Sequence, residues 1–245
     1  MSEIGIIGGT GLTRLPNLEV TRREVVATPY GEASAPLVHG VLAGREVVFL
    51  ARHGYSHTIP PHQVNYRANV WALHKIGVER VVAVAAVGGI RADMAPGNIA
   101  FPDQIIDYTY ERAQTFFDSD LDEVVHVDFT EPYCPDCRGT LIAAAEKEKL
   151  GAIGDGCYGA AQGPRLETRA EVDRLERDGC AMVGMTGMPE TVLARELGIS
   201  YACCAVIVNW AAGRGELDIH ADIEAHLDSG MEKVGRLLAA ALPDL

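Results

Sequence analysis

Apolar residues along this chain occur in short runs, and between the runs they recur at every third or fourth position. The runs are shorter than helices and rich in β-branched residues, so each run predicts a buried strand. The predicted strands cover residues 4–7, 46–51, 80–87, 181–185 and 200–208. Because helical patterns lie between them, the sequence predicts an α/β fold with a mixed or largely parallel central β-sheet flanked by helices.

Several segments carry the spacing of a helix. Residues 64–76 and 168–178 place apolar side chains three or four positions apart. The clearest stripe lies in the closing segment and consists of Ile219, Ile223, Leu227, Met231, Val234 and Leu238. Pro189 suits the first turn of a helix, so we expect another helix there. No linker or repeat interrupts the pattern, which predicts a single domain over residues 1–245.

Composition and charge narrow the classes of function. The 245 residues are 48% hydrophobic and 22% charged, and the formal net charge is -13. The chain can bury a sizeable core, but its apolar runs are too short to span a bilayer, so we expect no membrane partner. The acidic balance argues against nucleic acid as a partner, because phosphate backbones attract basic faces. The first residues, "MSEIGIIGGTG", lack the basic region of a signal peptide, which favours a cytoplasmic protein.

Six cysteines are scattered along the chain, and two of them have CxxC spacing. Cys134 and Cys137 could form a redox pair or half of a zinc site. No second CxxC or paired-histidine motif completes a zinc site, so we favour reduced thiols with a structural role.

The carboxyl ends of the predicted strands are where an α/β fold usually places its site. The first strand runs into "GGTG", residues 8–11, whose backbone N–H groups and Thr10 hydroxyl could hold an oxyanion. A dinucleotide or P-loop nucleotide is not supported, because Arg14 occupies the third glycine position and no Gly-Lys-Ser/Thr follows. Two further glycine turns are expected within residues 84–97 and 184–190.

The second of these predicted strands ends in "ARHGYSHTIPPHQ", residues 51–63, which gathers Arg52, His53, His57 and His62. Two prolines prevent one helix face from presenting all three histidines to a metal, and the arginine would repel a cation. A guanidinium with neutral donors suits tetrahedral phosphate, to which it could bind in a bidentate manner. We therefore expect an anion site at Arg52 and His53, with His57 nearby and His62 at the start of the next helix.

Two later motifs offer groups that could recognise a purine base. "QGPRLET" contains Glu167, and Asn209 ends the apolar run in "VIVNWAAG". A carboxylate can accept a hydrogen bond from N1–H of a 6-oxopurine, and an amide can serve N7 and O6 together. Alternatively, Glu167 caps a helix and Asn209 simply terminates a strand.

Five motifs, taken together and in order, resemble those of the methylthioadenosine/methylthioinosine phosphorylase branch of the purine nucleoside phosphorylase family. They are "IGIIGGTG", "TPYGEASAPL", "LARHGYSHTIPPHQVNYRANVWAL", "QGPRLETRAE" and "GMTGMPETVLARELG", and the resemblance extends from residue 4 to about 240. It implies phosphorolysis, in which phosphate attacks C1′ of a purine nucleoside and releases the base and a ribose 1-phosphate. It also implies a homotrimer with its active site at the subunit interface, no metal and no organic cofactor, with inorganic phosphate as co-substrate.

The resemblance also implies roles for individual residues. The implied phosphate ligands are Thr10, Arg52, His53, Ala86 through its backbone N–H, and Thr186. Met185 would face the ribose, Leu166 takes the usual aromatic position beside the base, and His126 would enter the neighbouring subunit's 5′ pocket. Asn209 would stabilise charge at N7 and O6 of the departing purine, so the candidate catalytic residues are Asn209, Glu167 and His53.

Departures from the family pattern bear on the substrate. Methylthioadenosine phosphorylases typically have Asp-x-Asp and Ser where this chain has Asn209, Ala211 and Glu167. An amide can donate to O6, whereas a carboxylate cannot. We therefore expect methylthioinosine as substrate, with methylthioadenosine second and inosine or guanosine third. Ala85 replaces a residue that in relatives often donates to phosphate, a loss worth roughly 0.5–1.5 kcal/mol.

The 5′ end of the nucleoside leaves two interpretations open. Ile219 and Ile223 could line an apolar pocket for a methylthio group. His220 falls near the position of a histidine that binds the 5′-hydroxyl in inosine and guanosine phosphorylases, or it faces solvent. Rival classes for the whole chain are a non-catalytic nucleoside- or anion-binding protein and a metal-dependent hydrolase.

Overall fold

The fold is built on one large mixed sheet. A computed structural model describes residues 3–119, 122–216 and 218–245. The elements within these ranges are β1 (Glu3–Gly8), β2 (Glu19–Glu24), β3 (Leu37–Leu42), β4 (Arg45–Ala51), α1 (Tyr66–Lys75), β5 (Val78–Gly89), β6 (Ile99–Ala100), β7 (Gln104–Asp107), α2 (Pro135–Lys147), β8 (Cys157–Ala160), α3 (Arg169–Arg177), β9 (Cys180–Gly184), α4 (Gly187–Glu196), β10 (Ser200–Trp210) and α5 (Ile219–Ala241). Short 3-10 helices cover Pro61–Gln63 and Leu242–Asp244. The predicted α/β class with a mixed sheet is confirmed.

The long strand β5 is the axis of the sheet. The strand order is β2-β3-β4-β1-β5-β9-β8-β7, and β10 pairs with both β5 and β6. β1 is parallel to β4 and to β5, and β10 is parallel to β5. β9 runs antiparallel to the end of β5, where Gly88 pairs with Val183. The carboxyl ends of β1, β4, β9 and β10 therefore meet around the second half of β5.

Burial explains why the pattern of apolar residues identified the central strands. β10 is buried at all its positions except the two ends, and most of β5 is buried as well. A strand covered on both faces has no polar side to alternate with its apolar side, so it reads as a continuous apolar run. Helix α5 packs against β10 and α2, while α1 packs against α4 and β5.

The turn predicted within residues 84–97 begins later than the glycines at 88 and 89 suggest. The glycines at 88 and 89 remain in β5, where they pair with Val183 and Met182, and the connection begins only after Gly89. A Cβ on Gly88 would lie 3.2 Å from Nδ2 of Asn209 and 3.3 Å from Cα of Ala211. Glycine at 88 therefore permits close approach of a neighbouring segment.

The CxxC pair lies at the start of α2, where Cys134 is the N-cap and Cys137 is buried. Burial raises the pKa of the Cys137 thiol to about 12. Across residues 3–119, 122–216 and 218–245, no three His, Cys, Asp or Glu side chains come together as a set of metal ligands. No helix in those ranges has both the length and the apolar character needed to cross a bilayer.

Candidate active site

A cavity of about 330 Å³ lies where the strand ends meet β5. It collects most of the residues predicted from the sequence, namely Thr10, Arg52, His53, His57, Ala85, Ala86, Leu166, Glu167, Met185, Thr186, Asn209, Ile219 and Ile223. Of the predicted site residues, His126 and His220 do not line it, and both are exposed. His62 lies in the 3-10 helix before α1, also outside the cavity wall. The motifs of five separate strands thus converge on one cavity.

Arg52 is held beneath the cavity by a buried carboxylate. Its Nε donates to Glu190 Oε2 at 2.6 Å and its Nη2 donates to Glu190 Oε1 at 2.8 Å, while Nη1 donates to the carbonyl of Val84 at 2.9 Å. The hydroxyl of Tyr201 also donates to Glu190 Oε1, at 2.8 Å. Burial opposes the charge of Arg52, but the Glu190 carboxylate outweighs it and raises the pKa of the guanidinium above its ordinary value.

This arrangement limits the donors that Arg52 can offer to an anion. Three of the five N–H donors of the guanidinium are taken, which leaves one on each terminal nitrogen. The carboxylate also cancels the charge of Arg52. Gly9 keeps the space beside the guanidinium open, because a Cβ there would lie 2.8 Å from Nη1 of Arg52.

His53 lies next to Arg52 in a fixed orientation. Its Nδ1–H donates to the carbonyl of Ile59 at 2.8 Å, which leaves the lone pair of Nε2 as an acceptor. Burial, together with the charge of Arg52, lowers the pKa of His53 to about 4 from an ordinary value of 6.5. In the free protein at neutral pH, His53 is therefore an uncharged acceptor and adds no positive charge to the site.

We expect neutral His53 to weaken the fold as the pH falls from 6.5 to about 4. In the unfolded chain His53 takes up a proton near pH 6.5, whereas in the folded chain it stays neutral until about pH 4. The unfolded state binds more protons in this window, so the free energy of unfolding decreases as the pH is lowered. Chemical denaturation in phosphate-free buffer should show that, between pH 6.5 and 4, the free energy of unfolding decreases more steeply for the native chain than for the His53→Asn variant.

Phosphate is left out of this experiment because a bound anion would favour the charged imidazolium. All other titrating groups are shared by the two proteins, so the difference between their profiles isolates His53. Parallel profiles from pH 6.5 to 4 would show that His53 is not held neutral.

Two threonines line the cavity together with Arg52 and His53. Thr10 Oγ1 lies 3.4 Å from Nε2 of His57, and the rings of His53 and His57 are 4.8 Å apart. His57 has a left-handed backbone, with φ of 52°. Thr186 is buried at the N-cap of α4, but its side chain makes no capping hydrogen bond. Both threonines line the cavity, where their hydroxyls could act as neutral donors.

Asn209 sits at the other end of the cavity, and it does not terminate β10, which continues to Trp210. Its side chain is 6% exposed, and Nδ2 donates one hydrogen to the carbonyl of Trp210 at 2.7 Å. This bond fixes the amide plane and leaves the second N–H and Oδ1 free for a ligand. The amide thus presents one donor and one acceptor side by side.

Glu167 is half-buried on the cavity wall and is not a helix cap. Thr168 caps α3, and the carboxylate of Glu171 completes the capping box. Burial raises the pKa of Glu167 above its ordinary value. The alternative interpretation of this residue is therefore wrong, and a carboxylate without a capping role faces the cavity.

The remaining wall of the cavity is largely apolar. Leu166 is 37% exposed, and Ile219 and Ile223 are half-buried in the first turns of α5. Asp218 starts this helix by accepting hydrogen bonds from the backbone N–H groups of residues 220 and 221. The cap directs the first apolar residues of α5 towards the cavity and leaves His220 exposed.

Sequence reasoning missed two buried charged residues at this site. Glu190 lies in the turn predicted within residues 184–190, but no spacing rule could pair it with Arg52, which lies 138 residues away along the chain. Arg112 lies in the irregular segment between β7 and α2, where no periodicity marks its side chain as buried.

The chain matches the model of the phosphorylase superfamily over residues 3–243. It is 52% identical over 243 residues to a probable S-methyl-5′-thioinosine phosphorylase from Pseudomonas syringae pv. tomato, with 99% of each chain covered. It is 45% identical to a 6-oxopurine nucleoside phosphorylase from Pyrococcus furiosus, covering 99% of this chain and 93% of that one.

The fold matches a solved structure of similar length. A single-residue variant of the adenosine/methylthioadenosine phosphorylase of Schistosoma mansoni, in complex with methylthioadenosine, superposes with a TM-score of 0.92. The two sequences are 33% identical, and the match covers 99% of this chain and 91% of the other.

Proposed function

Since this chain belongs to the phosphorylase superfamily and is a purine nucleoside phosphorylase, we propose that its preferred substrate is the 5′-methylthio nucleoside of a 6-oxopurine. Phosphate displaces the base at C1′, so the products are hypoxanthine and 5-methylthioribose 1-phosphate. The relative from Pseudomonas syringae, a probable S-methyl-5′-thioinosine phosphorylase, supports this choice of substrate.

The observation that carries the proposal is the pair of polar groups at the base end of the cavity. The free N–H of Asn209 can donate to O6, and its Oδ1 can accept a hydrogen bond from a proton on N7. The carboxylate of Glu167 can accept from N1–H. Adenine would place the lone pair of N1 against that carboxylate, so the pair favours a 6-oxopurine.

The phosphate end supplies mostly neutral groups. Thr10 and Thr186 offer hydroxyls, Arg52 offers its two remaining N–H groups, and the Nε2 of His53 can accept a hydrogen bond from a protonated phosphate oxygen. Ala86 and Met185 also line the cavity, and we propose that Ala86 offers its backbone N–H to phosphate and that Met185 lies against the ribose. The transition state resembles an oxocarbenium ion between phosphate and a departing purine anion, so fixed groups at both ends lower the barrier.

The 5′ end favours a methylthio group. Ile219 and Ile223 line the cavity at the start of α5, and burying each apolar carbon there is worth about 0.8 kcal/mol. His220 lies outside the cavity of its own chain, so it does not offer a partner to a 5′-hydroxyl there.

We expect phosphate-dependent release of hypoxanthine to be fastest from methylthioinosine. Purified protein is incubated with methylthioinosine, methylthioadenosine, inosine or guanosine, with and without phosphate, and the free base is quantified. We expect kcat/KM to fall by at least about a hundredfold for methylthioadenosine and by about tenfold for inosine, because the first leaves buried polar groups unpaired and the second loses only apolar contacts.

Each other outcome has a distinct meaning. Faster release of adenine would contradict the roles of Asn209 and Glu167, and faster release from inosine would contradict the apolar 5′ pocket. Release without phosphate, abolished by a chelator, would indicate a metal-dependent hydrolase, and no release from any nucleoside would indicate a binding protein.

We propose a homotrimer in which His126 completes the 5′ pocket of a neighbouring subunit. The proposal is supported by the exposure of His126 and of the apolar residues beside it, Val124 at 75% and Val125 at 44%. Light scattering should then give three times the 26.3 kDa of one chain. A monomer that retains full activity would contradict this assembly and the role of His126.

A further inference from the structure

Arg112 is a buried arginine outside the cavity wall, in the irregular segment between β7 and α2. Its side chain is 9% exposed, and the preceding Glu111 has a left-handed backbone with φ of 56°. A non-glycine residue in this conformation persists only where the surroundings hold it in place.

The donors of Arg112 bind backbone carbonyls from two segments that form the site. Nη1 donates to Met188 at 2.6 Å and to Met185 at 2.9 Å, and Nη2 donates to Gln162 at 2.7 Å. The Nε donates to the side chain of Gln162 at 3.0 Å. One guanidinium therefore joins the turn that carries Met185 and Thr186 to the loop that leads to Glu167.

A third wall is reached through Tyr66. Nη1 of Arg112 lies 3.4 Å from the hydroxyl of Tyr66, and the guanidinium stands over its ring at 5.6 Å. The same hydroxyl donates to the carbonyl of Pro61 at 2.9 Å, and Pro61 lines the cavity. Arg112 and Tyr66 thus connect three walls of the cavity. These walls are the turn at residues 185–188, the loop at residues 162–167 and the proline segment at residues 60–61.

The partners of Arg112 are all neutral. Within the part of the chain that the structure describes, no carboxylate forms an ion pair with it, whereas Arg52 is neutralised by Glu190. Burying a guanidinium without a countercharge is costly, and a nonpolar residue of similar size would avoid that cost. What Arg112 provides instead is a rigid fork that holds several carbonyls in fixed directions.

We infer that Arg112 is a positioning residue, which keeps the phosphate-binding turn and the base-recognition loop in the relative placement that the reaction requires. The inference rests on the proposed function only for the choice of assay substrate. Misplacing reacting groups by about an ångström can cost a hundredfold in rate. Loss of Arg112 should therefore lower kcat more than it changes either KM.

The test compares Arg112→Ala with the matched control Arg138→Ala. Arg138 also donates to two carbonyls, those of Phe101 at 3.2 Å and Gly154 at 2.6 Å, but touches no segment of the cavity. With the best nucleoside of the native protein, we expect kcat to fall by about a hundredfold for Arg112→Ala and by less than about twofold for Arg138→Ala. Methylguanidinium, but not methylammonium, should restore part of the lost kcat.

Arg112→Lys covers the case in which the alanine variant does not fold. It keeps the charge but lacks the planar fork, so it should fold and show a kcat reduced by at least about tenfold. Native kcat in either Arg112 variant, or equal losses in the alanine variants of Arg112 and Arg138, would overturn the inference. Failure of rescue by methylguanidinium would also overturn it. Because every rate is relative to the native protein on the same nucleoside, a wrong substrate assignment would leave the comparison intact.

Discussion

Replacing Asn209 with alanine should lower kcat for methylthioinosine by about two to three powers of ten, the usual cost of losing one preorganised donor to a developing anion. As the bond to C1′ breaks, negative charge accumulates on the purine, and in the proposed binding mode the second N–H of Asn209 donates to O6. Its bond to the Trp210 carbonyl fixes the amide before the substrate arrives. Steady-state kinetics should show the loss in kcat with little change in the KM for phosphate.

Asn98→Ala serves as the control, because it removes an amide that does not line the cavity. A second variant, Asn209→Asp, tests which base the residue recognises. A carboxylate would repel O6 but could accept a hydrogen bond from a 6-amino group. The ratio of kcat/KM for methylthioadenosine to kcat/KM for methylthioinosine should therefore rise in this variant. Turnover of Asn209→Ala within a few-fold of the native value would remove Asn209 from the mechanism.

Replacing Glu190 with glutamine should destabilise the fold by about 3–5 kcal/mol, because it leaves the buried charge of Arg52 without a countercharge. The ion pair is among the most buried in the described structure, with side chains 1% and 0% exposed. The effect should be read from chemical denaturation in phosphate-free buffer. Adding phosphate should then raise the Tm of Glu190→Gln more than that of the native protein, since the anion supplies the missing negative charge.

The double variant Arg52→Met/Glu190→Gln provides the control for this prediction. Removing both charges should cost less than removing Glu190 alone, because no unpaired ion remains. Equal losses in the single and double variants would contradict the role of Glu190 as the countercharge. An equal effect of phosphate on the Tm of the native and Glu190→Gln proteins would contradict the proximity of phosphate to Arg52.

The sequence predicted the strands with uninterrupted apolar runs and missed those that are exposed, short or interrupted. β3 is buried at five of its six positions, but His39 and Gly40 interrupt its apolar run. β2 reads "EVTRRE" and is almost entirely exposed, so it has no apolar run to mark it. β6 is two residues long, and β7 and β8 are four each, which is too short for a period to emerge. Helix α2 escaped detection because its small alanine-rich segment has little contrast between its faces.

Some residues of the candidate site could be predicted from the sequence, and others could not. Residues at the ends of buried strands, such as Thr10, Arg52 and Asn209, could be placed because parallel strands end at one edge of a sheet. Glu190 and Arg112 could not be placed, since they reach the site through contacts between distant segments. The cap of α3 was available in the sequence, because Thr168 and Glu171 have the spacing of a capping box, and it would have freed Glu167 for another role.

The position of β5 gives the cavity a floor that is hydrogen-bonded along both edges. β5 is hydrogen-bonded to β1 and β10 along its two edges and meets β9 at its end, so we expect its amide hydrogens to be among the slowest to exchange with solvent. The loop of residues 161–168 and the proline segment after His57 have no such ladder. We therefore expect any adjustment that admits a nucleoside to be small and to occur in these walls, because Arg112 ties them together and β5 holds the groups beneath C1′ in place.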